Sequence, residues 1–212
     1  MTSIVTYAQS ILPGSSATLL TSLEPAISQQ TSAIAHGIQA LQNGPLPSSL
    51  RLDTRPDSNE TPLEERLFDA LAAAKVLTSR VAMHLTLGWR DKLFQQLDSL
   101  HDPAEWEEGD LPVHQASFMT FLKAMLTIKP ARRPGLGLSH AGNLIAAWTT
   151  GRDRLTIEFM PHDRVRWVLS LHYDDGPVRY AGDAPVGRLS EGLAKHNPEH
   201  WFLGAPEDRK HP

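Results

Sequence analysis

The stretch that decides the fold is Leu144-Ile-Ala-Ala-Trp-Thr-Thr-Gly-Arg-Asp-Arg-Leu-Thr-Ile-Glu-Phe159. Leu144, Ala146 and Trp148 form one every-second-residue set and Leu155, Ile157 and Phe159 another. A period of two marks a strand with one buried face. A two-residue turn at Gly151-Arg152 sets Trp148 opposite Leu155, Ala146 opposite Ile157 and Leu144 opposite Phe159, which makes one face wholly apolar. The pattern continues into Val165-Arg-Trp-Val-Leu169. A three-residue loop at Pro161-His-Asp163 sets Phe159 against Val165 and Ile157 against Trp167, and it places Glu158 opposite Arg166 on the outer face. Both registers choose the same side as core. A last strand near Val178 to Tyr180 extends the meander, and Val186 to Lys195 reads as a closing helix.

Upstream the period is that of a helix. Thr61-Pro-Leu-Glu64 has the form of a capping box, with proline at the first position. Leu63, Leu67, Ala70, Ala74, Leu77 and Val81 follow at spacings of three and four, and Gly88 is placed to end the run. A second helix covers about Arg90 to Leu100, and Asp102 caps a short turn around Trp106. Ser117 is expected to cap a third helix bearing Phe118, Phe121, Leu122, Met125 and Leu126, which Lys129-Pro130 breaks. The fold class is therefore α+β: helices packed on one face of an antiparallel β-meander, with a C-terminal helix.

The first fifty residues carry one charged side chain, Glu24, whereas charges are dense from Arg51 onward. Within them Leu20, Leu23, Ile27, Ile34, Ile38 and Leu41 form one helical stripe opposite a face of Ser, Thr and Gln. Such a helix must pack on its own body or on another chain. The expected organisation is an amphipathic arm over residues 1–45, a linker over 46–61, one domain over 62–203 and a disordered tail over 204–212.

Composition narrows the chemistry. With 212 residues and 41% hydrophobic content the chain can bury a core. Twenty basic against 24 acidic side chains give a net charge of -4, which argues against non-specific binding to nucleic acid or anionic membranes. The absence of cysteine excludes disulfides, thiolate catalysis and Cys-ligated metal centres. The first twenty residues lack the basic start and apolar run of a signal peptide, so a cytoplasmic protein is expected.

Gly137-Leu-Ser-His-Ala-Gly-Asn-Leu144 raises the possibility of a nucleophile, but a nucleophile elbow needs its second glycine one residue earlier and a helix after it. Here a strand pattern follows, and Ser-His-Ala-Gly-Asn reads as a hairpin connection. Neither Gly135-Leu-Gly137 nor Gly182 to Gly187 has the lysine of a phosphate loop. Among ten histidines, His196-Asn-Pro-Glu-His200 has a metal-like spacing, but Pro198 disfavours a helix there and the segment reads as a solvated polar loop. No metal and no cofactor are expected. Trp148 and Trp167 fall on the inner face of the sheet. Trp89, Trp106, Trp201 and Phe202 sit at element ends, as lids over the core or as recognition anchors.

The runs "WRDKLFQQLDSLHDPAEWEEGDLP", "SFMTFLKAML", "RPGLGLSHAGNLIAAW", "RLTIEF" and "RVRWVL", with the late "WF", resemble a group of small uncharacterised bacterial proteins with the same helix-then-meander layout, over about residues 63–203. The resemblance implies a bacterial origin and this architecture, and it brings no activity or catalytic residue with it.

The leading functional expectation is a non-catalytic partner-binding or regulatory protein. It binds a protein partner, or a second copy, through Leu20, Leu23, Ile27, Ile34, Ile38 and Leu41, with Trp89, Trp106, Trp201 and Phe202 as further anchors. The alternatives are an enzyme of unrecognised type, such as a hydrolase using His84, His114 or Asp98, and a nucleic-acid-associated regulator using Arg132, Arg133, Arg164 and Arg166.

Overall fold

A computed structural model describes residues 31–43, 62–85, 88–106 and 109–203. Among these residues it has six helices: α1 (31–42), α2 (Leu63–Val81), α3 (Trp89–Leu100), α4 (Gln115–Ile128), α5 (Leu189–Leu193) and α6 (Pro198–Phe202). Five strands, β1 (Gly135–Leu138), β2 (Leu144–Thr150), β3 (Asp153–Met160), β4 (Arg164–Tyr173) and β5 (Gly176–Pro185), form one antiparallel sheet in sequential order. The fold is α+β, a helical layer on one face of a meander with helices closing the C-terminal end. Leu20, Leu23, Ile27, Thr61, the linker over 46–61 and the tail over 204–212 lie outside the described residues.

The registers are those the alternation dictates. Trp148 pairs with Leu155, Ala146 with Ile157 and Leu144 with Phe159. Phe159 pairs with Val165, Ile157 with Trp167 and Glu158 with Arg166. All of the apolar members of these pairs are buried, and Trp148 and Trp167 are 1% and 6% exposed. The strand near residue 178 is longer than expected, because β5 continues the pairing from Tyr173↔Gly176 to Arg164↔Pro185. Most of its side chains are exposed, so no inside-outside alternation advertises it.

α4 is the centre of the helical layer. Phe118, Phe121, Leu122, Ala124, Met125 and Leu126 are all buried, because the helix meets the sheet on one side and α2 on another. The Phe121 ring meets Phe159 edge-on at 5.3 Å between centroids. Ser117 is not the cap of this helix. The cap position is His114, and Ser117 lies within the first turn, fully buried. Its hydroxyl donates to Phe159 O at 2.5 Å and accepts from Leu144 N–H at 2.7 Å, tying α4 to two strands. Three and six residues on, the Thr120 hydroxyl lies 2.9 Å from Met160 O, and Lys123 Nζ lies 2.7 Å from both carboxylate oxygens of Asp163. Residues three apart share a helix face, so a polar seam on α4 follows the end of β3 into the loop after it.

Two helix ends differ from expectation. α2 stops at Val81 and passes into a 3-10 turn over Ala82–His84, while Gly88, with φ +75°, stands immediately before α3. The C-terminal segment is a series of short turns rather than one helix over 186–195. Asn197 takes the left-handed conformation, and Pro198 begins α6 instead of preventing it, since the first helical position needs no N–H. His196 to His200 is thus a helix start and not a solvated loop.

Candidate functional site

A cavity of about 580 Å³ lies between the end of α3 and the β1–β2 turn. Its first wall is built by local capping. α3 ends at Leu100, and His101 folds back so that its Nδ1 meets Leu97 O at 2.9 Å. Asp102 then accepts from Ala104 N–H at 3.1 Å and starts a 3-10 turn over Pro103–Glu105. That turn delivers Trp106, whose indole N–H donates to Leu100 O at 3.1 Å. The Trp106 ring stacks on His101 with centroids 6.1 Å apart and planes 25° apart. A hydrogen bond at one edge and a stacked ring on one face leave this indole little freedom.

The second wall is the Ser139 to Asn143 turn. Ser139 N–H donates to Asn143 O at 2.9 Å and Gly142 N–H to Ser139 O at 2.9 Å, while Ser139 Oγ accepts from Asn143 N–H at 3.2 Å. The serine hydroxyl therefore serves the hairpin. Gly142 has φ +72°, and a Cβ there would stand 2.5 Å from Pro112 O. Its own carbonyl accepts from His114 N–H at 2.7 Å. Glycine at this position lets the turn press against the α3–α4 connection, which brings Ser139 and His140 to the cavity opposite Trp106.

Among the described residues the lining carries Asp102, Glu105 and Asp110, one imidazole, His140, and no lysine or arginine. The cavity is therefore electronegative around an aromatic face. His101 beneath the indole is 4% exposed, and burial lowers its pKa against the opposing effects of the Leu97 carbonyl and Asp98. Its Nε2 has no hydrogen-bond partner among the described residues.

The other expected anchors are used elsewhere. Trp89, Trp201 and Phe202 are buried. Phe202 meets Trp148 edge-on at 5.2 Å, and its carbonyl accepts from Ala131 and Arg132 N–H, so this end of the chain is a lid over the core. Of the N-terminal stripe, Leu41 is 2% exposed and Ile34 and Ile38 are half-buried. Gly37 faces Leu126 and His84, so the described part of the stripe closes on the chain's own body.

His84 is half-buried under α1, Asp98 pairs with Lys75 at 2.5 Å, and exposed His114 stands before α4. None of these three lines the cavity. Arg132 is held by Thr149 O and Thr150, Arg164 by Asp183, and Arg166 faces Glu158 at 3.8 Å, so three of the four candidate arginines have partners. Among the described residues no cluster of three or more His, Asp or Glu side chains is arranged to hold a metal ion, and no helix is long and apolar enough to cross a membrane.

What the sequence reading missed is the run of acids beside Trp106. Five carboxylates, Asp102, Glu105, Glu107, Glu108 and Asp110, fall within nine consecutive positions that include Trp106, without a basic residue among them. That charge run was the available signal. No protein-family model, curated protein or solved structure matches the chain.

Proposed function

We propose that this is a non-catalytic, partner-binding protein of the bacterial cytoplasm, which takes a cationic side chain of its partner at the Trp106 cavity. The observation that carries the reading is an immobilised indole set among carboxylates, with no lysine or arginine among the described lining residues. A cation over an indole is attracted by the ring quadrupole, and carboxylates nearby add to the same field. The volume of about 580 Å³ is within the range of small-ligand sites and admits a lysine or arginine side chain. Ser139 is bound into its turn, so it supports the non-catalytic reading.

The test is calorimetric titration of the full chain with a tri-arginine peptide, alongside the Trp106→Ala and Glu105→Gln variants. Loss of the indole removes about 1 to 2 kcal/mol, roughly a 5- to 30-fold weakening. The expected binding also weakens with added salt. No heat of binding with the wild-type chain would overturn the proposal, and so would undiminished affinity in a folded Trp106→Ala variant.

A further inference from the structure

A second cavity of about 500 Å³ lies at the far end of β4 and β5, walled by the segment from Lys195 to Trp201. We propose that it is a saccharide-binding cleft. Its charge balance selects a neutral ligand. Asp153 is already engaged, accepting from His172 N–H at 2.7 Å with the imidazole Nδ1 3.7 Å away. Lys195, which has no carboxylate partner among the described residues, stands against a cationic ligand. Asp153 offsets Lys195 within the lining, so no net charge favours a phosphate.

The remaining features suit a polyol with an apolar ring face. Tyr180 and His196 pack ring against ring at 4.6 Å, and Trp167 meets the same imidazole at 5.6 Å, so two aromatic rings hold it. Tyr173 and Tyr180 remain 57% and 39% exposed, the open continuation of the sheet's inner face past the last covering helix. Aromatic faces of this kind pack on the C–H face of a pyranose while their hydroxyls stay wet. Around them, Asn197 offers a donor and an acceptor on one planar group and Lys195 offers donors, complementing hydroxyls that both give and accept hydrogen bonds. The cavity size matches one or two sugar rings.

The test is saturation-transfer NMR on the full chain with maltose, cellobiose, N,N′-diacetylchitobiose and adenosine monophosphate at millimolar concentration, where weak complexes are seen. The expected result is transfer to the ring C–H protons of at least one disaccharide, reduced about tenfold or more in Tyr180→Ala and in Tyr173→Ala. Tyr173 is exposed, so its replacement keeps the fold even where that of Tyr180 does not. Trp106→Ala leaves the transfer unchanged, which separates this site from the cation cavity. Absence of transfer to all three sugars would overturn the inference. So would transfer that survives both tyrosine variants, or a preference for the nucleotide.

Discussion

Replacing Ser117 by alanine removes one oxygen atom from the middle of the molecule and should cost far more than its size suggests. The hydroxyl is fully buried and bridges Phe159 O and Leu144 N–H at 2.5 and 2.7 Å. With alanine, both strand groups lose this partner in a place water does not reach. Each buried polar group left unsatisfied costs about 1 to 3 kcal/mol, so about 2 to 6 kcal/mol in all is expected. Alanine is the better helix former, which returns only about 0.5 kcal/mol. Urea unfolding followed by tryptophan fluorescence reads the change, since Trp148 is 1% exposed. At a slope of about 2 kcal/mol per molar urea the midpoint should fall by roughly 1 to 3 M. Thr127→Ala is the control: its hydroxyl also bonds a backbone carbonyl, Lys123 O, but at an exposed position of the same helix. It should change stability by less than about 0.5 kcal/mol. If the two variants unfold together, the clamp between α4 and the strands contributes nothing, and the account of Ser117 fails.

Three further outcomes follow from the packing and the cavity. Gly142→Ala forces a side chain into a left-handed backbone position and against Pro112 O, so a loss of about 1 to 3 kcal/mol is expected together with weakened tri-arginine binding; unchanged binding would dissociate this turn from the cavity wall. Gly182→Ala places a methyl group inside the Trp167 ring, which pairs with it across β4 and β5, and should lower the melting temperature by roughly 2 to 12 °C in a differential scan. His101 is depressed by burial, so the unfolded chain takes up the proton first: stability should be level above the ordinary value of 6.5 and decline as the pH falls below it, until the folded imidazole also titrates. His101→Gln should flatten that decline in urea titrations between about pH 7 and pH 5, and an unaltered slope would show that another group is responsible.

The sheet was legible because two constraints agree at each hairpin. Turn length and the every-second-residue set independently choose the same partners for Trp148, Ile157 and Phe159, and a one-residue slip would turn all of them to solvent. β5 was shortened in the reading because Val178 and Tyr180 are partly exposed and nothing in their spacing distinguishes them from a loop. Ser117 was misread because a serine before an apolar helical run has the form of a cap, and nothing local says that strands arrive over it. The cavity was half legible. Trp106 and its acids are neighbours in sequence, but Ser139 and His140 come from a turn some thirty positions later, and their arrival depends on the contact between Gly142 and Pro112.

The sequential meander leaves two outermost strands, and each is built to refuse a neighbour. β1 is four residues long and follows directly on Arg132-Arg133-Pro134. β5 has prolines at Pro177 and Pro185, which lack the N–H a joining strand would need, and carries Arg179 and Asp183 between them. Ribbon-to-ribbon addition, the route by which unprotected sheets aggregate, is thus disfavoured on either flank of the described sheet.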